Sequence, residues 1–334
     1  MSERVVSTAL ITGGAGFVGR HLVEALMARG VQVRVFDLKA MDGVVMTLGS
    51  VEDTPALKSA MNGVDVVYHL AGDAQLWARD RSRFDRINHI GTANVLDAAA
   101  KSGVRRVVHC SSLTTLVGLS TPVGASKADE GVALQAKDML GAYPRSKLLA
   151  EEAVAAAVSA GLDAVIAIPT EPLGPGDEAL TPPTRLIVDL LTGRIPATIN
   201  CMLNFVSVRS LAAGFIAAAE RGRRGERYIL GGENVEMARL LAELSRQTGR
   251  VMPKTVLPYA VALAAGALDT HLIAEILKRP PKAPLTGVRL AGRRVSFSSE
   301  KAERELGWKS EAFETALGAA VGWMRARGFV EFRG

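Results

Sequence analysis

Cysteine is scarce: the 334 residues contain only Cys110 and Cys201, 91 positions apart, and neither has another cysteine or a metal-like histidine spacing beside it. That excludes a disulfide scaffold and leaves no zinc or iron–sulfur signature, so no metal is expected. A reducing cytoplasm is the natural compartment. Aromatic residues are few as well, at 5%, which leaves few platforms for stacking bases. No charge of one sign is concentrated: Lys plus Arg minus Asp plus Glu is 40 − 34 = +6, scattered apart from pairs such as Arg223-Arg224 and Arg293-Arg294. Such dispersion argues against a nucleic-acid groove, though a basic surface still attracts anionic cofactors or lipids. No apolar run reaches the roughly 20 residues that span a bilayer. Met1-Ser2-Glu3-Arg4 leads straight into an apolar run and a glycine loop. Without the core and cleavage site of a secretory signal, this end reads as unprocessed.

What is present is an ordinary globular composition, 48% apolar and 22% charged, which sets disorder aside. At roughly 150 residues per domain the length allows about two domains, or one large α/β unit with an appended lobe. Short β-branched runs at 5–11, 31–36, 64–70 and 104–109 alternate with helical stretches at 17–29, 57–61 and 90–101. The runs are apolar nearly throughout, as parallel strands covered on both faces require, so the expected fold is a Rossmann-type, doubly wound α/β sheet. A helix at about 143–160 and a strand at 162–168 continue it.

After Pro169 the texture changes, because Pro172, Pro175, Pro182, Pro183, Gly174 and Gly176 interrupt the pattern. Residues 1–169 are expected to bind a dinucleotide and 170–334 to form mainly a smaller substrate-binding lobe, with about 204–232 returning to the first domain. The lobe's readable elements are strands at 204–208 and 227–230 and helices at 208–221, 236–248, 300–306 and 312–326. Residues 256–268 are 13 uncharged residues in a row, followed by Asp269, His271, Glu275 and Lys278-Arg279. They read as a buried helix of the lobe; the alternative is an apolar wall facing a lipidic substrate or a membrane surface.

Three motifs carry chemistry. Thr12-Gly13-Gly14-Ala15-Gly16-Phe17-Val18-Gly19 follows a strand and opens a helix. There the glycines let backbone approach a pyrophosphate, and free helix-start N–H groups hold its charge. Asp37, 18 residues after Gly19, stands where a carboxylate accepts the adenosine ribose hydroxyls and repels a 2′-phosphate, which favours NAD. Lys39 beside it leaves NADP open. Tyr143-Pro144-Arg145-Ser146-Lys147 starts a helix and sets Tyr143 and Lys147 at i and i+4 on one face. An unperturbed tyrosine has a pKa near 10, so its phenolate needs about 4 kcal/mol of stabilisation to act near neutrality, which a lysine ammonium is placed to supply. Cys110-Ser111-Ser112 lies at a strand's carboxyl end, where the crevice of such sheets opens, and a hydroxyl there can hold a substrate oxygen.

The glycine loop, Asn88 in Asn-His-Ile-Gly-Thr, the strand-end serines and Tyr-Pro-Arg-Ser-Lys together resemble the extended short-chain dehydrogenase/reductase superfamily over nearly the whole chain. Asp73-Ala74-Gln75-Leu76-Trp77, Arg227 to Asn234 and Phe297 to Ala302 resemble the branch of dihydroflavonol 4-reductases, 3β-hydroxysteroid dehydrogenases and hopanoid-associated sugar epimerases. The resemblance implies Ser112 as catalytic serine with Ser111 as fallback, Tyr143 as acid/base, and Lys147 as the residue that holds the nicotinamide ribose and lowers the tyrosine pKa. It implies cofactor contacts from Leu70-Ala71-Gly72, Asn88, Ser111, Pro169 and Thr170. Where the family has Gly-Asp-hydrophobic for adenine, this chain has Gly49-Ser50-Val51, so Ser50 and Val51 stand in that loop. Asp73, Trp77 and Asn204 are substrate-side candidates. Superfamily members are often homodimers. The five scattered histidines read as structural.

The leading expectation is hydride transfer between NAD(P) and a secondary alcohol or ketone of a bulky, partly apolar, steroid-, triterpenoid- or flavonoid-like small molecule. The alternative keeps the same residues but makes the redox step transient, as in a nucleotide-sugar epimerase with tightly bound NAD. Leu113-Thr114 offers no acid pair beside the serine, which disfavours dehydration. A cofactor-binding scaffold without chemistry is disfavoured by the joint presence of Ser, Tyr and Lys. The basic balance and the 256–279 segment carry a separate expectation of weak association with the inner membrane face.

Overall fold

The computed structural model describes residues 6–331, apart from the Glu275 side chain; the reading of residues 1–5 lies outside it. Seven strands form the central sheet: β1 (Thr8–Thr12), β2 (Gln32–Asp37), β3 (Val45–Leu48), β4 (Val66–His69), β5 (Arg106–Cys110), β6 (Ala164–Pro169) and β7 (Arg227–Leu230). Their order is β7-β6-β5-β4-β1-β2-β3, and every pairing is parallel. β1, β4 and β6 are buried throughout, which is why their sequences are apolar without alternation.

Helices cover both faces. On one, the helix Thr54–Ala60, α2 (Gly91–Lys101) and α3 (Ala142–Ser159) pack Leu57, Leu96 and Val154 against Leu10, Val67 and Ile166. On the other, α1 (Phe17–Met27) and α4 (Val208–Arg221) pack Leu22 and Phe215 against Ala9, Tyr68 and Val165. The segment 208–230 therefore sits with the dinucleotide sheet although its sequence lies inside the lobe. Ala302, Leu306 and Trp308 join the same core. The lobe keeps its own core, where Leu173, Ile187, Leu240, Phe313 and Leu317 meet.

Two expectations are corrected. The edge strand β3 was not among the runs read from the sequence, because it is four residues long and mostly solvent-facing, with no buried stripe to announce it. Residues 256–268 are not one buried helix. Pro258 ends the short strand Thr255–Leu257 and caps α5 (Tyr259–Leu268), since proline has no N–H for a strand partner yet suits a helix start. In α5 only Ala262 and Gly266 are buried. Among the described residues no helix is long and apolar enough to cross a membrane.

Candidate active site

The sheet order reverses between β1 and β4, and at such a point the loops beyond the strand ends part and leave a crevice. One wall is the glycine loop. Gly13 has φ +75°, and a Cβ there would lie 2.6 Å from the Ala71 nitrogen, while a Cβ on Gly19 would collide with the Gly13 carbonyl. Loop, helix start and the segment after β4 are thus pressed together as a pyrophosphate cradle requires. Gly16 precedes α1, and Phe17 and Val18 open it, both half-buried. Asp37 ends β2; its Oδ2 accepts the Ala15 N–H at 3.0 Å and its Oδ1 the Lys39 N–H at 3.0 Å. That fixes the carboxylate beside the loop, with lone pairs left for ribose hydroxyls. Lys39 itself is exposed.

The remaining cofactor-side candidates divide. Thr12 Oγ1 takes the Ala71 N–H at 3.3 Å, which seats Leu70, Ala71 and Gly72 against the cradle. Thr170, just after β6, is buried with an Oγ1 that has no hydrogen-bond partner among the described residues, an orphan polar atom that suits the carboxamide end of a nicotinamide. Pro169 is the last residue of β6. Val51 is buried in the core beneath α2, so it offers an adenine at most its backbone; Ser50 Oγ accepts the Glu52 N–H at 3.2 Å. Asn88 is saturated: its Oδ1 takes the Asp73 N–H at 2.8 Å, and its Nδ2 reaches the Asp73 carbonyl and Ser146 Oγ, each at 3.0 Å. It clasps the loop after β4 to α3 rather than presenting itself to a ligand.

Ser112, Tyr143 and Lys147 converge on the end of β5. Gly141 precedes α3 at φ +158°, with the Thr286 side chain where a Cβ would be, and α3 then turns Tyr143, Ser146, Lys147 and Glu151 inward. The Tyr143 phenol lies near Ser112, whose side chain acts to lower its pKa. Ser112 Oγ also accepts from Thr114 Oγ1 at 3.0 Å. Ser111 faces the other way and donates to Glu151, so Ser112 is the serine that meets the tyrosine. Burial drives the Tyr143 pKa above its ordinary value, outweighing Ser112, with the Cys110 and Asp73 charges acting in the same sense as burial. This is opposite to the lowering that the Tyr/Lys spacing predicts. The reason is visible: Lys147 Nζ donates to the Cys110 carbonyl at 2.6 Å, and burial pulls its own pKa down.

Asp73 is buried and pairs with Arg83 at 2.6 Å. Trp77 lines a cavity of about 140 Å³ next to the start of α3, and its buried Nε1 has no hydrogen-bond partner among the described residues. Asn204 has its amide engaged within the fold. It is buried, and its amide binds the Gly232 N–H and carbonyl and Asn234 Oδ1, at 2.9, 3.2 and 2.7 Å, locking lobe strands together. His69 is held by Thr12 and Thr92 and stays neutral, since burial, helped by Lys147, lowers its pKa to about 3.

Two carboxylates were missed from the sequence, Glu151 buried and Glu171 half-buried. Glu151, one turn beyond Lys147, takes Thr115 Oγ1 at 2.7 Å and pairs with Arg227 at 3.0 Å. It ties the serine loop to α3 and β7, and its i+4 spacing from Lys147 was the available signal. Glu171, two residues past Pro169, accepts the Asn204 N–H at 3.0 Å, and burial raises its pKa to about 8.

The family model of the NAD dependent epimerase/dehydratase family matches residues 9–231. A Synechocystis sp. protein named for dihydroflavonol 4-reductase is 34% identical over 333 residues, covering 96% of this chain and 95% of its own. The sterol demethylase protein B of Methylococcus capsulatus is 32% identical over 334 residues, covering 97% of this chain and 100% of its own. The crystal structure of gox2253 superposes with a TM-score of 0.84 at 30% identity, over 97% of this chain and 100% of that one. With a glycine cradle and a carboxylate at the end of β2 that fit NAD, the chain belongs to the NAD dependent epimerase/dehydratase family and is an enzyme of the extended short-chain dehydrogenase/reductase type.

Proposed function

We propose that this enzyme transfers hydride between NAD and a secondary alcohol or ketone carried on a bulky, partly apolar substrate, with Tyr143 as acid/base, Ser112 as oxygen holder and Lys147 as ribose ligand. The observation that carries this reading is the cavity against the Tyr143 helix, walled by Leu76, Trp77, Phe84, Leu140 and Leu285. These apolar walls suit contact with a ring of an apolar substrate, and Arg81 and Arg289 share the same lining. The names of two relatives, which refer to a dihydroflavonol and a sterol, agree with it.

When bound, NAD supplies the hydride acceptor at the nicotinamide ring. Everything else falls to the chain. Gly13, Gly16 and Gly19 would leave room for the pyrophosphate, Asp37 would take the adenosine ribose, and the orphan Thr170 hydroxyl would hold the nicotinamide end. Ser112 Oγ and the Tyr143 hydroxyl, close enough for the serine to act on the phenol's acidity, would form a two-donor seat for a ketone oxygen. The raised tyrosine pKa keeps the phenol protonated near neutral pH, which is the form that protonates an alkoxide during reduction. Oxidation needs the phenolate, and Lys147 acts by moving from the Cys110 carbonyl toward the ribose and the phenolate.

One observation favours a second reading. Arg81 and Arg289 line the same cavity, and among the described residues neither side chain has a hydrogen-bond or ion-pair partner. They suit an anionic group, whether a carboxylate on the apolar substrate or the diphosphate of a nucleotide sugar in an epimerase. The test follows NADH formation with ring alcohols, with and without a carboxylate, beside epimer formation from UDP-glucose read by NMR. Wild-type turnover of the ring alcohols, abolished in Tyr143→Phe with NAD still bound, is the expected result. Epimer formation without net NADH would overturn the leading reading, as would full turnover in Tyr143→Phe.

A further inference from the structure

We infer that α5 and its continuation dock on an anionic lipid bilayer and present the mouth of the cavity to it. Six of the fourteen large apolar side chains exposed among the described residues fall between 256 and 277: Val256, Val261, Leu268, Leu272, Ile276 and Leu277, each 50–67% exposed. They are not scattered. α5 runs through the wide turn Asp269–Ile273 into the short helix Ala274–Leu277, and spacings of seven, four and four residues align Val261, Leu268, Leu272 and Ile276 along one ridge. The opposite face lies against α6 (Leu285–Gly292) through small residues: a Cβ on Gly266 would meet Val288 at 3.0 Å. The helix is thus seated on its polar-free small side and leaves its large apolar side in water, the inverse of an ordinary surface helix.

The rim is cationic. Lys254, Lys278 and Lys282 are exposed, and among the described residues none has an ion-pair partner. The buried Asp269 carboxylate is turned inward, accepting the Lys282 and Ala283 N–H groups at 2.5 and 3.0 Å and facing Arg279 at 3.4 Å. By sequence, 254–282 holds four cations, Lys254, Lys278, Arg279 and Lys282, against Asp269 and Glu275, so 4 − 2 = +2. An apolar ridge edged with lysines complements a bilayer bearing anionic headgroups. A second copy fits less well, because a two-fold contact over this ridge would bring the lysine rims against each other.

The ridge also shares its turn with the site. Thr270 and His271 line the cavity beside Leu140, Gly141 and Ala142 at the start of α3. An apolar substrate dissolved in the bilayer would therefore reach the cavity beside the start of α3 along the docked face without crossing water, a consequence that rests on the functional reading above.

The test floats the full-length protein with phosphatidylcholine vesicles, with and without phosphatidylglycerol. The expected result is co-flotation with the anionic vesicles that weakens with salt, and a loss on the order of a hundredfold in the double variant Leu272→Gln/Ile276→Gln, about tenfold for each apolar side chain withdrawn. Both side chains face water, so the variant should keep the wild-type circular dichroism and melting temperature. Turnover of a water-soluble secondary alcohol should be unchanged in the variant, while KM for a vesicle-embedded ring alcohol should rise. No co-flotation at low salt would overturn the inference, as would a wild-type dimer in light scattering that the double variant splits. Vesicle binding without turnover of any ring alcohol would leave docking standing and remove the functional reading instead.

Discussion

α3 and α5 are both alanine-rich helices, and they invert each other. α3 carries Tyr143, Ser146, Lys147 and Glu151 and buries all four; α5 carries no charged residue and leaves half of its residues exposed. Burying polar groups costs free energy unless partners wait inside, and exposing apolar ones forgoes the burial that drives folding. Neither arrangement is what stability alone would select. The first marks where chemistry is done and the second where something else is touched.

The comparison breaks most visibly at Tyr143. Replacing it with Phe should lower kcat about a thousandfold, the scale of a lost acid/base group, with NAD affinity by titration nearly unchanged. Next comes Glu151. Truncating it to Ala removes the carboxylate partner of Arg227, whose side chain is only 20% exposed and keeps only the Glu130 and Val132 carbonyls, and should lower the unfolding free energy in urea by about 3 kcal/mol. A buried α3 carboxylate that proved dispensable would erase the contrast with α5.

Acidity sharpens the same contrast. Burial holds the Tyr143 phenol protonated above its ordinary range, so the kcat for reduction should be flat through neutral pH. The kcat for oxidation should climb by up to about tenfold per pH unit on the alkaline side; pH-independent oxidation would assign the proton to another group. Glu171 gives a smaller effect on stability. In the folded chain its carboxyl keeps its proton up to a pH of about 8, whereas the unfolded chain gives it up near 4.5. The native state therefore binds more protons between these values, and its melting temperature should fall as pH rises across that window. Glu171→Gln should flatten the slope. Smallest of all, Leu272→Gln with Ile276→Gln should move the unfolding free energy by no more than about 0.5 kcal/mol, since neither side chain is part of a core; a large loss would show that α5 is held by its outward face.

Much of the cofactor half was legible before any coordinates. The helix at 208–221 and the strand at 227–230 have the bounds read from sequence, and the glycine loop, Asp37, the strand-end serines and the Tyr/Lys pair are local patterns with local causes. What was not legible depends on distant partners. Asn204 and Asn88 are polar residues near the crevice, and nothing in their neighbourhoods says that Gly232 or Asp73 will use up their amides. Val51 sits in a loop by sequence and in a core by packing. Glu151 and Glu171 look like ordinary surface acids until the fold closes over them.

By itself the sequence determined the parallel sheet, the cradle at its switch point and the i, i+4 pairing of Tyr143 with Lys147, because strand burial, glycine freedom and helical pitch act over a few residues. Only the tertiary structure decided which serine faces the tyrosine, that the lysine is engaged by the Cys110 carbonyl, and that α5 turns its large side chains outward. Those outcomes depend on what lies opposite each group across the fold, and proximity between residues as far apart as Thr270 and Leu140 is fixed only when the chain has closed on itself.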